Sequence, residues 1–260
     1  MTDKTTLNDL LLQLGLRGLG AVLDDVIALA TKHRWGAAQI LEHVCRLEIE
    51  ERTRRSLERR LRRSNIGRFK PIADYDWEWP TSIDKKKVLA AMNLAFIGEN
   101  KNIVLVAAQG LGKTMIAQNI AHAATLAGHS VRFVNTSDLL LDLAAQDSAR
   151  TLDRRLRYWS NVPLLVLDEL GYLSYDNRNA DLLFQVISRR YEKRSLVLTT
   201  NLAFKEWPTV FPNSACTTAL IDRIVHHAEV IRIKGKSYRL REAEQDDDSG
   251  DKPPKSRKPK

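Results

Sequence analysis

Residues 107–115 read Ala-Ala-Gln-Gly-Leu-Gly-Lys-Thr-Met. Two glycines separated by one residue, then a lysine and a threonine, are the residue types that an oligophosphate requires. Glycines let backbone N–H groups wrap closely around an anion. A lysine ammonium is a mobile charge for the outer phosphates, and a threonine hydroxyl can complete a Mg2+ shell. The full pattern is G-x-x-x-x-G-K-[ST], and its opening position is held here by Ala107. Gly110 and Gly112 sit where the loop must come closest to phosphate. Ala107 is harmless if its φ is negative and costs about 1–2 kcal/mol if the turn needs a positive one. The expected cradle for ATP is Ala108, Gln109, Gly110, Leu111, Gly112, Lys113, Thr114 and Met115.

Asp168 and Glu169 end the apolar run Pro-Leu-Leu-Val-Leu at 163–167. Two carboxylates at the tip of a buried strand suit the second half of an ATPase site. Asp168 is expected to hold Mg2+, with Thr114, and Glu169 to act as general base on the attacking water. Asn201 ends a later run, "LVLTTN", where an amide can sense a phosphate or place a water. Arg189, Arg190, Arg194, Arg223 and Arg239 are candidates to stabilise charge on the transferring phosphoryl group, from the same chain or a neighbouring one.

These residues need a scaffold of buried strands. The runs at 102–108, 130–136, 163–169, 195–201 and 229–234 are apolar almost throughout, and helical stretches alternate with them. That pattern predicts a parallel sheet in an α/β layer fold. A helix is expected over 86–98. Upstream, residues 5–64 read as helical: Leu19, Val22, Leu23, Val26, Ile27 and Ala30 form one apolar stripe, and Ile40, Leu41, Val44 and Leu47 a second. The expected organisation is a helical N-terminal domain at 1–66, a linker at 67–85, an ATPase domain at 86–242 and a disordered charged tail at 243–260. In the linker, "DYDWEWP" carries aromatics expected to lie against the next domain, where they could border a nucleotide base.

The 260-residue chain has a net charge of +9 and a sequence pI of about 9.6, which suggests a polyanionic partner, nucleic acid first. Residues 51–70 concentrate that charge, with nine basic residues against two acidic ones. Arg54, Arg55, Arg59, Arg62 and Arg63 are the expected phosphate contacts of a DNA-binding helix face. Cys45 and Cys216 form no metal or redox motif and are expected to be buried thiols in a reducing cytosol. The opening residues lack a signal-peptide pattern, and no apolar run is long enough to span a membrane. A cytoplasmic protein with no membrane partner is expected.

The helical start, "AAQGLGKT", "LLVLDELGYL", "LTTNLAFKEW" and "LIDRIVHHAEVIRIKGKSYR", in that order, resemble the IstB family over about residues 5–242. These are ATP-binding helper proteins of insertion sequences that move with an IstA transposase, AAA+ ATPases near the DnaC and DnaI helicase loaders. The resemblance implies a P-loop AAA+ domain with a five-stranded parallel sheet, the catalytic strand inserted between the first and third, behind a small all-α domain. It implies Lys113 and Thr114 in the Walker A loop, Asp168 and Glu169 in Walker B, and Asn201 at sensor I. It places Arg223 in the region of the trans-acting arginine finger and Arg239 at sensor II. It further implies self-assembly through ATP sites, binding and bending of double-stranded DNA with little sequence preference, and stimulation of an IstA-type transposase. A helicase loader, or a nucleotide-gated DNA scaffold without useful turnover, would share the same motifs. Ala107, where the family usually has glycine, is the departure.

Overall fold

Thr6 accepts a hydrogen bond from the Asp9 amide, and the Asp9 carboxylate accepts one from the Thr6 amide, a capping box that starts α1 (Leu7–Gln13). α2 (Arg17–Ala21), α3 (Leu23–His33) and α4 (Ala37–Ser64) follow. The computed structural model describes residues 6–172, 174–211, 214–238 and 240–241, and forms two compact units, one ending at Arg62 and one beginning at Arg63. The tail at 243–260 lies outside the described residues.

In the first unit Leu11, Leu19 and Val26 are buried, with Leu16, Val22, Leu23, Val44 and Leu47 packed against them. The stripe expected from Leu19 to Ala30 is divided at Val22, whose φ of −129° is not helical, and Ile27 is exposed. Gly18 explains the short α2. Its amide donates to the Glu48 carboxylate at 2.9 Å, and a Cβ there would meet Glu51 Cβ at 2.8 Å, so this turn must approach α4 closely. Glycines at 18 and 20 also weaken the helix itself.

The second unit contains β1 (Ser82–Ile83), α5 (Lys85–Met92), α6 (Ala95–Gly98), β2 (Asn102–Ala107), α7 (Lys113–Leu126), β3 (Val131–Asn135), α8 (Thr136–Ala144), α9 (Ala149–Ser160), β4 (Leu164–Leu170), α10 (Asn177–Arg190), β5 (Ser195–Thr200), α11 (Ser214–Val225) and β6 (Ala228–Lys234). The helix expected over 86–98 is two helices, because Leu94 takes a left-handed φ of 63° between them. The strand order is β1-β6-β2-β5-β4-β3. The five long strands are parallel, and a strand is inserted between the first and third as the resemblance implied, but it is β5, which carries Thr199, and not β4, which carries Asp168 and Glu169. A sixth strand was not foreseen: β1 pairs antiparallel with β6 through two residues, too short a run to show periodicity.

Alternate residues of each strand enter different cores, as a sheet covered on both faces requires. Ile103, Leu105, Val131, Phe133, Leu164, Val166, Val197, Ile231 and Ile233 pack under α5, α6 and α7. Val104, Val134, Leu165, Leu167, Leu196 and Leu198 pack under α8 to α11. The result is a three-layer α/β/α unit whose strand tips gather Ala107, Asn135, Asp168 and Thr200 at one end. Neither cysteine is buried as expected. Cys45 is exposed on α4 and Cys216 is partly exposed on α11, because both face away from the packed sides of their helices. Among the described residues no helix is long and apolar enough to cross a membrane.

Candidate functional site

Ala107 is the last residue of β2, paired with Ile233 of β6, and its methyl belongs to the core. Its φ is not positive. The positive values in the loop are at Gly110, +73°, and Gly112, +79°. The alanine therefore sits in extended backbone without strain. Gly112 would not accept a side chain. A Cβ on it would meet the Tyr75 ring at 2.6 Å, besides having to adopt a left-handed conformation. We expect Ala107→Gly to leave ATP affinity within about twofold and to cost about 1 kcal/mol of stability, from the lost methyl and the freer unfolded chain. A nucleotide titration beside a thermal melt checks this. Tenfold tighter ATP binding would mean that the methyl obstructs the loop.

From Gly112, which caps α7, the chain turns its first helical amides toward the loop. Lys113 Nζ donates to the carbonyls of Ala107 at 2.7 Å and Ala108 at 2.8 Å, which holds the ammonium inside the loop. Thr114 Oγ1 donates to Asp168 Oδ1 at 3.2 Å, and Thr199 Oγ1 donates to the same oxygen. Burial pushes the Asp168 carboxyl up, against the two threonine hydrogen bonds that lower it. A hydroxyl and a carboxylate at this spacing are hard oxygen donors of the kind a Mg2+ ion takes while keeping several waters.

β4 and β5 lose register between Leu167 and Leu170. In that bulge Glu169 has a left-handed φ of 58°, an uncommon conformation for a non-glycine residue. The Thr199 hydroxyl accepts from the Glu169 amide at 2.9 Å, and Asn135 Nδ2 donates to the Glu169 carboxylate at 2.6 Å. The bulge thus aims the two neighbouring carboxylates differently, Asp168 inward and Glu169 toward the cleft. The cleft holds about 410 Å³ and is lined by the loop from Gln109 to Met115, and by Glu169 and Asn201. That volume is in the range of small-molecule sites.

Two further walls come from the aromatic stretch, which lies against the ATPase unit as expected, and from the segment at 236–238. Tyr75 donates its hydroxyl to Leu111 O at 3.0 Å, and burial pushes its pKa up to about 12. Trp79 Nε1 donates to Lys236 O at 2.9 Å, and the Tyr238 amide donates to Gly110 O at 2.9 Å. The aromatic stretch and the "GKSY" stretch therefore strap the loop from two sides. Asn135, Thr199 and Tyr75 were missed as site residues. Asn135 offered the same signal as Asn201, a polar residue at a strand tip.

The arginines separate clearly. Arg190 is 2% exposed and donates to the carbonyls of Trp159, Ser160, Val162, Pro163 and Ser195, so it is a structural clasp and not a phosphate ligand. Arg189 pairs with Asp153 at 2.9 Å, and Arg194 bonds the Lys193 carbonyl. Arg223 lies 4.4 Å from the Phe184 ring centre and does not line its own chain's cleft. Arg239 lies outside the described residues. On α4, Arg54 pairs with Glu51 and Glu58, and Arg55 with Glu48 and Glu51. Arg59, Arg62 and Arg63 are exposed, and among the described residues they are in no ion pair.

Residues 9–246 match the model of a family described as IstB-like ATP binding protein. The chain is 34% identical over 229 residues to the protein of insertion sequence IS232 from Bacillus thuringiensis subsp. berliner, which carries the name ATP-binding protein, across 88% of this chain and 92% of that one. It is 33% identical over 233 residues to the similarly named protein of IS21 from Pseudomonas aeruginosa, across 90% and 88%. Among solved structures, the crystal structure of DnaI is similar at a TM-score of 0.53 and 23% identity, over 66% of this chain and 91% of that chain. At that identity the likeness speaks to the fold alone, which is the AAA+ P-loop fold.

Proposed function

The chain belongs to the IstB-like ATP binding proteins of insertion sequences, and on that premise we propose that it hydrolyses ATP, assembles through its ATP sites on duplex DNA and serves a partner transposase. The observation that carries the ATPase reading is that Lys113, Thr114 and Glu169 line one cleft at the strand tips, with Asp168 bonded to Thr114 from the buried side. In this reading the loop from Ala108 to Met115 binds the triphosphate, and Lys113 holds its outer oxygens. Thr114 and Asp168 hold Mg2+, which when bound offsets phosphate charge. Glu169 takes the proton of the attacking water, Asn135 fixes the Glu169 carboxylate until then, and Asn201 orients the water. Arg223, outside its own cleft, suits service to the site of a neighbouring copy. Arg239 is assigned to sensor II by resemblance.

The N-terminal helices through α4 supply DNA contacts, the segment 67–85 expected as a linker belongs with the ATPase domain whose sheet and cleft it joins, and the protein works in the cytoplasm. Its DNA grip is electrostatic, with little sequence preference, and the bound DNA is bent or otherwise remodelled before an IstA-type transposase is recruited and stimulated. Arg59, Arg62 and Arg63 support this because they are exposed and, among the described residues, no carboxylate pairs with them. Replacing all three with alanine should lower the slope of log affinity against log salt by about 2–3, since each phosphate contact contributes about 0.9. An unchanged slope would move the DNA contacts elsewhere. Electron microscopy of the protein with duplex DNA, with and without a non-hydrolysable ATP analogue, tests the assembly. Nucleotide-dependent oligomers on DNA are expected, and a monomer under both conditions contradicts the reading.

A further inference from the structure

The turn that follows α11 lies outside the nucleotide cleft. After α11 the chain makes a turn carrying His226 and His227 and then enters β6. Adjacent side chains on an extended strand point apart, but in this turn the two imidazoles lie together, with ring centres 4.0 Å apart. Glu192, in the turn that follows α10, reaches the same place, and its Oε1 is 3.3 Å from His227 Nε2. One ligand atom from each of the three residues lies within 4.8 Å of the others.

We propose that Glu192, His226 and His227 form a binding site for a divalent transition-metal ion of the zinc class. Two imidazoles and a carboxylate are the donor set that such an ion prefers over Mg2+ or Ca2+. The spacing agrees. A tetrahedron with bonds of 2.0–2.1 Å has edges of about 3.4 Å, close to the 3.3 Å between His227 Nε2 and Glu192 Oε1. The third donor closes by rotation of a side chain on an exposed surface.

Orientation is already provided. Tyr191 Oη bonds His226 Nδ1 at 2.6 Å, which leaves Nε2 to bind the metal and supplies the outer hydrogen bond that metal-bound histidines ordinarily have. The turn itself is fixed by Asn102, whose amide donates to His227 O at 2.7 Å and whose side chain donates to Ile224 O at 3.0 Å. Side-chain exposures of 42% for His227 and 54% for Glu192 leave room for a water as the fourth ligand. A bound ion would tie the end of α10 to the end of α11, the two helices that carry Phe184 and Arg223.

The test is zinc titration of untagged full-length protein against a chromophoric chelator, with Mg2+ and ADP saturating so that the nucleotide site does not contribute. The wild type should take up one equivalent of zinc and melt at a higher temperature with it. His227→Ala and Glu192→Ala should each weaken uptake at least tenfold, and Tyr191→Phe should weaken it less. All carry Cys45, so the differences isolate the cluster. His226→Gln with His227→Gln repeats the comparison if the alanine variant misfolds, with ATP turnover reporting an intact fold. Uptake unchanged in these variants, or no saturable uptake by the wild type, overturns the site.

Discussion

Glu169→Gln should lower ATP turnover by about 10²–10⁴-fold while leaving ATP-dependent DNA complexes intact or longer-lived. The substitution keeps the shape of the side chain and an oxygen for Asn135 Nδ2, which donates to it at 2.6 Å. It removes only the group able to accept a proton. The strained backbone at this position, φ 58°, is held by the bulge and by the bond from the Glu169 amide to Thr199. Glutamine has no reason to disturb either. Lys113, Thr114 and Asp168 remain, so binding of the nucleotide should survive. Steady-state phosphate release beside a filter-binding or sedimentation assay of DNA complexes reads both arms. Phosphate release at the wild-type rate would remove Glu169 as the base, and a parallel loss of ATP binding would make it a binding residue instead.

Arg190→Met should destabilise the α/β unit by about 3–5 kcal/mol, a fall in melting temperature on the order of 10 °C for a unit of this size. The guanidinium is 2% exposed and gathers carbonyls from the end of α9, the start of β4 and the first residue of β5. These carbonyls lie where neighbouring elements end and cannot all find ladder partners. Removing the cation leaves buried acceptors unsatisfied, which costs more than the lost attraction alone. Burial also pulls the Arg190 pKa down, so the charge is held against its own desolvation by those carbonyls. Lysine should not rescue it, because a single ammonium cannot reproduce the fork. A melting curve within a few degrees of wild type would show that water or rearrangement can replace the clasp.

The contrast between these residues shows what the sequence made legible. Gly110, Gly112, Lys113, Thr114, Asp168 and Glu169 were expected together because phosphate chemistry dictates residue type and spacing within one strand-loop-helix unit and one strand tip, and the fold brings them to the same end of the sheet. The five parallel strands were readable because burial on both faces leaves nearly unbroken apolar runs. Arg190 and Arg223 could not be distinguished in that way, since both are arginines near helix ends. Only packing shows that one clasps carbonyls and the other lies on the Phe184 ring.

Tyr75 and Trp79 lie against the ATPase unit as expected, but their particular partners, and the role of the segment at 236–238, were opaque for a related reason. Their contacts with the loop cross long stretches of chain, and aromatic content announces burial without naming the neighbour. β1 escaped because two residues carry no period. Arg54 and Arg55 looked free for phosphate, yet glutamates at helical spacing already pair with them, and the pattern Glu48, Glu51 and Glu58 was present in the sequence to be weighed.

Equilibrium titration with fluorescent ATP in the presence of Mg2+ tests the central claim most directly, that the turn after Ala107 cradles a triphosphate without its customary first glycine. Folded wild-type protein should show saturable binding with one site per chain, and Lys113→Ala should abolish or greatly weaken it. No saturable binding by well-folded wild-type protein would contradict the nucleotide site itself.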